Sequence, residues 1–404
     1  MPDDGGVVRR VVWREVLPWL VIFRCFRISI SLPVLFFATL GWLLTLLGPR
    51  IAGTLFLDSP TEDPVWAPAP GGLAAALESA ARGDSLLTAA ASISDPVRFV
   101  YLHFSDPFLQ VFNRDNTIRE TAYYVFSGLW NVVVWAFFAG AITRITAVQL
   151  GREQRVDLRT AGRFAGKQYV WSVLAPLFPL LGVLLAAAPI ALLGLVMRVG
   201  FGVAVAAVLW PLVLLGGLIM TVLLLGLAAG WPLMWPTISS EEHGDAFEAF
   251  SRSFSYVFQR PLHYLGYILL AVAVGWLGWL LVSGFSEALI ELCLYAASWG
   301  AGAQRINEIS QGPAEGLLWF GSSLIAMFNW LVRAAATAFN FSFFFCVSTA
   351  IYLLMRRSVD QNGFDDVYLE DEQHHFSLPP VDVESAPEKA DEEKTDVAKA
   401  DEQE

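Results

Sequence analysis

The chain has 404 residues, 55% of them hydrophobic and 16% charged, with a mean hydropathy of +0.53. A soluble domain carries about 25% charged residues, so an ordinary water-soluble fold is excluded and a polytopic membrane protein is expected. The formal charge of −12 belongs to one end: residues 359–404 hold 16 acidic side chains and 3 lysines, so the remainder sums to +1 and offers no basic surface for nucleic acid.

Residues 1–27 contain five arginines and an interrupted apolar run, Val11 to Phe23, broken by Arg14, Glu15 and Pro18. No apolar run there ends at a small-residue cleavage site, so the pattern is read as an interfacial helix on the cytoplasmic face. Ile28–Leu47 is free of charge and is the first expected span, closed by Gly48-Pro49-Arg50. Pro33 near its start is compatible with lipid because hydroxyls and neighbouring helices can take up the carbonyl it frees.

Residues 48–120 form one long extracytoplasmic connection. Pro60, Pro64, Pro68 and Pro70 make its first part irregular, and Leu73–Ala81 reads as a short Ala-rich helix. Ser94-Asp95-Pro96 and Ser105-Asp106-Pro107 are both helix-start patterns, so two short amphipathic helices are expected to rest on the outer surface. The aromatic residues between them fit equally well a loop collapsed against the spans.

The second expected span, Thr121–Ile142, carries Asn131. After it, Arg144, Arg152, Arg155, Arg159, Arg163 and Lys167 make the most basic connection, which the positive-inside rule places in the cytoplasm. Gln168–Ser240 then holds a single charge, Arg198, and is long enough for a hairpin of two spans, about 172–197 and 205–230. The first contains Pro176, Pro179 and Pro189, and the second the pair Gly226 and Gly230. Small residues four apart favour close helix packing, and three prolines allow a kinked helix lining a cavity. On this basis the hairpin is expected to be the packing centre.

Phe247, Phe250, Phe254 and Phe258 fall on one helical face, so a cytoplasmic amphipathic helix is expected to lie along the membrane. Its start, Asp245 to Phe254, is similar to Asp157 to Phe164 before the hairpin, a weak internal repeat. Residues 262–283 are the fifth span, 317–332 an interfacial or re-entrant segment, and 334–355 the sixth span, carrying Asn340. Arg356 and Arg357 place the end of that span in the cytoplasm, and residues 358–404 read as a disordered acidic tail. In this topology Cys25, Cys293 and Cys346 lie inside, outside and within the bilayer, so no pair meets.

No Asp, Glu, Lys or Arg falls within the six expected spans, and His263 sits at the entrance of the fifth, which argues against proton-coupled transport. No motif for metal hydrolysis, a serine nucleophile, nucleotide phosphates or a dithiol is present, so no catalytic, cofactor or metal residues are assigned. Asn131 and Asn340 are expected to act as interhelical hydrogen-bonding groups.

At Pro236-Thr-Ile through Ser251-Arg-Ser-Phe254, and at Tyr352 to Asp360, the chain resembles an uncharacterised family of six-span bacterial membrane proteins. It is more distantly similar to the membrane-anchoring domain of some glycerophosphodiester phosphodiesterases. The resemblance implies a bacterial inner-membrane protein and no activity. The reading is an all-α, six-span bundle with both termini cytoplasmic and lipid as its surroundings. Its expected role is a non-enzymatic scaffold recruiting a cytoplasmic partner through the acidic tail, with a lipid-handling or permease role built on the third span as the alternative.

Overall fold

The computed structural model describes residues 16–57, 71–113, 115–241, 244–311 and 316–369, and every regular element among them is a helix. A 3-10 turn at Pro18–Leu20 leads into α1 (Val21–Ser29), then α2 (Leu32–Thr45) and α3 (Leu47–Phe56). The long connection holds α4 (Leu73–Ala81), α5 (Leu86–Ala91) and α6 (Pro96–Val111). There follow α7 (Ile118–Gly151), α8 (Leu158–Lys167), α9 (Tyr169–Val196) and α10 (Gly200–Ser240). The chain closes with α11 (Ala246–Gln259), α12 (Pro261–Ala301), α13 (Ala303–Gln311) and α14 (Gly316–Val359). Among the described residues, six helical stretches are long and apolar enough to cross a membrane: α2 with α3, α7, α9, α10, α12 and α14. The protein is therefore a polytopic helix bundle. The proline-rich stretch 58–70, residues 1–15 and residues 370–404 of the acidic tail lie outside the described residues, whereas 358–369, expected to be disordered, are described, with Phe364 and Val367 buried.

Local sequence accounts for the boundaries. Asp95 caps α6 by accepting from the Val97 and Arg98 amides, with Pro96 in the first turn. Thr117 and Glu120 start α7 with a reciprocal capping box. Gly48-Pro49-Arg50 does not end the first crossing helix, because Pro49 sits in the first turn of α3, where no intrahelical amide is required. Residues 317–332 are not a separate re-entrant piece: they are the first part of α14, whose 44 residues reach about 66 Å at 1.5 Å each. Arg333 does not break that helix, because its guanidinium is gripped by both oxygens of Glu287 on α12, at 2.9 and 2.8 Å.

The packing centre is α14, not the α9–α10 hairpin. Every residue from Ala336 to Arg356 is buried. Trp135 of α7 stacks on Phe341 with ring centres 4.5 Å apart, and Trp231 of α10 lies against Phe344. In the most apolar 18 residues of α14 all are buried, against 6% for α10 and 11% for α9, yet α14 has the lowest mean hydropathy of the six. Lipid tails are as apolar as leucine, so inside a bilayer packing and hydrogen bonding draw the polar-bearing helix inward and leave the apolar ones facing lipid.

The short amphipathic helices each bury one face. On α11 it is Ala246, Ala249, Ser253 and Tyr256 that are buried, while Phe247 and Phe258 are exposed. On α1 the buried set is Val21, Ile22, Cys25, Ile28 and Ser29, laid against α14. This placement of α1 brings Cys25 to Cys346, contrary to the expectation from topology: the Cys25 thiol donates to the Cys346 carbonyl at 3.5 Å. All three cysteines are free.

One end of the bundle is closed by charge. Glu241, after α10, pairs with Arg356 at 3.2 Å and Arg252 at 3.1 Å and accepts from the Tyr352 hydroxyl at 2.7 Å. Arg356 also holds Asp366 at 2.8 Å, and the Tyr256 hydroxyl donates to Asp360. Burial, and then the bond to that carboxylate, pushes the Tyr256 phenol above its ordinary range.

Candidate functional site

The long connection supplies the element around which a site forms. Ser105-Asp106-Pro107 does not begin a second surface helix: α6 runs on through Pro107 and is wedged between α7, α10 and α14. Phe104 at its midpoint is 4% exposed and meets Trp231, Trp235, Trp135 and Phe345, with ring centres 4.9, 5.8, 6.3 and 6.2 Å away. The approach to α6 is latched at Gly71, whose carbonyl accepts from the Ser94 amide at 2.7 Å and the Trp279 indole at 2.9 Å. A Cβ on Gly71 would lie 2.1 Å from the Ser92 carbonyl oxygen, so only glycine permits this turn.

A proline inside a helix has no amide for the carbonyl four residues earlier, and at membrane depth that carbonyl must find another donor. Four prolines here are answered in the same way. Pro107 frees the His103 carbonyl, which accepts from the Asn131 amide of α7 at 3.3 Å. Pro176 frees Ser172, which accepts from the Trp235 indole of α10 at 2.8 Å. Pro232 frees Ala228, which accepts from the Tyr101 hydroxyl of α6 at 3.0 Å. At the α1–α2 bend Pro33 leaves the Ser29 carbonyl to the Ser342 hydroxyl of α14, also at 3.0 Å. Each donor comes from a different helix, so the prolines act as interhelical clasps.

Three residues of those clasps, Tyr101, Pro176 and Trp235, line the same hollow. This groove, of about 510 Å³, lies between α6, α7, α9 and α10, with Phe104, Phe108, Val132, Leu177, Leu180 and Trp231 among its walls. Among the described residues no charged side chain lines it. Leu109, Phe112 and Leu225 at its rim are exposed, so it opens on the apolar surface of the bundle. Of the lining hydroxyls, Tyr101 and Thr221 donate to the Ala228 and Gly217 carbonyls, which leaves Ser105 without a partner among the described residues. A shallower apolar hollow of about 720 Å³ lies further along α9 and α10, around Ile190 and Gly217. No family model matches the chain, and neither a search of curated proteins nor one of solved structures finds a match.

The sequence-assigned positions fall in different places. Asn131 joins α7 to α6, whereas Asn340 donates to the Thr337 carbonyl of its own helix at 2.9 Å; the side-chain carbonyl oxygens of both are buried and unpartnered. Pro176 lines the groove, Pro179 is buried, and Pro189 is exposed; α9 remains continuous through all three. Gly226 and Gly230 face α11, not the hairpin partner α9: a Cβ at Gly226 would lie 2.1 Å from the Phe254 ring, whereas one at Gly230 would meet Ser253 at an ordinary 3.5 Å. His103 is an ionisable side chain carried to the depth of Asn131 by α6, a route that counting charges within the spans does not detect; its Nε2 is buried without a partner. Among the described residues no group of three His, Cys, Asp or Glu side chains is placed to hold a metal.

In the structure α1, α8 and α11 each bury one face against the bundle.

Proposed function

We propose that this protein is a non-enzymatic, lipid-handling component of a bacterial inner membrane, with both termini cytoplasmic, and that the groove under α6 receives the acyl chain of a membrane lipid. The observation that carries the reading is the groove itself. Its volume falls within the roughly 300–1,000 Å³ typical of small-molecule sites, its walls are aliphatic and aromatic, and its mouth opens where lipid tails lie. Ser105 supplies a hydroxyl for an ester or headgroup oxygen near the chain. The uncharged lining of the groove among the described residues and the resemblance to six-span bacterial membrane proteins support the same setting. Recruitment of a cytoplasmic partner is the second reading, favoured by the 16 acidic residues of the tail.

The test is photocrosslinking of the purified protein with a phospholipid carrying a photoactivatable group in its acyl chain. Crosslinks are expected to concentrate in peptides containing Phe104–Phe112 and Leu224–Trp231, and Leu177→Trp, which fills the groove, should remove them. Crosslinks spread over the whole apolar surface in proportion to exposure, and unchanged by Leu177→Trp, would contradict the reading.

A further inference from the structure

We infer that α8 carries a headgroup site for anionic phospholipid, separate from the acyl-chain groove. Ala161, Phe164 and Ala165 of this helix are buried; the Arg144 guanidinium lies 4.3 Å from the centre of the Phe164 ring, and Gly140 approaches Ala165. With that face fixed to α7, the opposite face is held rigidly outward. It presents Arg159 and Arg163 one helical turn apart, with Arg155 before them and Lys167 a turn after, all exposed. Among the described residues neither Arg159 nor Arg163 meets a carboxylate.

Position distinguishes this row from an ordinary solvated face. α8 lies at the end of the bundle where the crossing helices pass from apolar sequence to Arg27, Arg144, Arg260 and Arg356. A Cβ on Gly162 would lie 3.7 Å from the Phe37 ring and 4.0 Å from that of Phe137, both on membrane-crossing helices. One turn beyond Lys167, Val170, Trp171 and Leu174 are exposed and continue the lipid-facing surface, and a tryptophan at this level marks the membrane–water boundary. Two exposed guanidinium groups at that boundary, which among the described residues meet no carboxylate, suit a phosphodiester bearing net negative charge, held by charge-assisted hydrogen bonds. The ligand is therefore an anionic phospholipid in the leaflet that this end of the bundle faces.

The test uses the full-length protein in detergent, titrated with phosphatidylglycerol or with phosphatidylcholine of the same acyl chains and read by native mass spectrometry. The wild type should retain phosphatidylglycerol preferentially. In R159Q/R163Q that retention should fall by on the order of thirtyfold, given about 1 kcal/mol for each of the two basic residues at an anionic surface, while phosphatidylcholine retention stays unchanged. Loss of both lipids together would instead implicate the groove and overturn the headgroup assignment. So would equal phosphatidylglycerol retention by wild type and variant, or its displacement by inorganic phosphate, which would mark a site for the free ion. Should the variant not fold, the wild type decides: raising salt from about 0.1 M to about 1 M shortens the screening length from about 10 Å to about 3 Å and should abolish the preference. A salt-independent preference overturns the proposal.

Discussion

The central helix α14 and the more apolar hairpin α9–α10 play opposite parts. Residues 336–356 of α14 include Asn340, Ser342, Ser348 and Thr349 and are entirely buried. On α10, Leu212, Leu214, Leu218 and Leu225 are all more than half exposed. In water the greasier segment would be the core. In a bilayer there is no such drive, so the helix that can hydrogen-bond and stack takes the middle, and the greasier pair faces lipid.

Breaking the centre should therefore cost far more than breaking the hairpin. Trp135→Ala removes a fully buried ring that stacks on Phe341 and donates to Thr45 at 2.9 Å. Heat unfolding of the purified protein in mild detergent should show a loss of about 3–5 kcal/mol, whereas Leu214→Ala on the exposed face of α10 should stay within about 0.5 kcal/mol. Equal effects would remove the distinction between the two regions.

Arg356→Gln strips a side chain that is 4% exposed from Glu241 and Asp366 at the closed end of α14. A loss on the order of 3 kcal/mol is expected in the same assay, because Glu241 is left with Arg252 and Tyr352 alone.

A smaller contrast lies within the hairpin. Gly226→Ala drives a methyl into the Phe254 ring and should cost about 1–3 kcal/mol, while Gly230→Ala, with ordinary contacts, should cost under about 1 kcal/mol. If the two substitutions behave alike, the glycine pair is an undifferentiated seam.

Much of the architecture could be read in the sequence for direct physical reasons. Charge-free runs of about 20 residues locate crossing helices. The Ala-rich segment begins and ends where expected, at Leu73 and Ala81. What was misread came from treating local signals one at a time. Asp106-Pro107 has the form of a helix start, but Asp95 and Pro96 had already started a helix, and Asn131 on α7 allows it to continue through Pro107. Arg333 has the form of a span boundary, but Glu287, 46 residues away, pairs with it and α14 continues. The phenylalanine face of α11 resembles a face to be buried, but Phe247 and Phe258 at its ends are exposed, while Phe254 packs on α10 at Gly226. The groove was legible only as an allowance for a proline-lined cavity on α9; its other wall comes from a connection whose depth no periodicity reveals. A usable signal did exist, since each clasped proline pairs with a hydrogen-bond donor elsewhere in the apolar sequence, but choosing the donor requires the fold.

The proline clasp between α9 and α10 is the arrangement on which the groove depends, and a double-mutant cycle of Trp235→Phe and Pro176→Ala tests it most directly. Trp235→Phe alone leaves the Ser172 carbonyl without its donor and should destabilise by about 1–3 kcal/mol. Pro176→Ala restores a backbone amide for that carbonyl, so in its background the same change should cost a few tenths of a kcal/mol or less, giving a coupling of at least about 1 kcal/mol. Strict additivity of the two substitutions would contradict the clasp and, with it, the account of how the groove is held open.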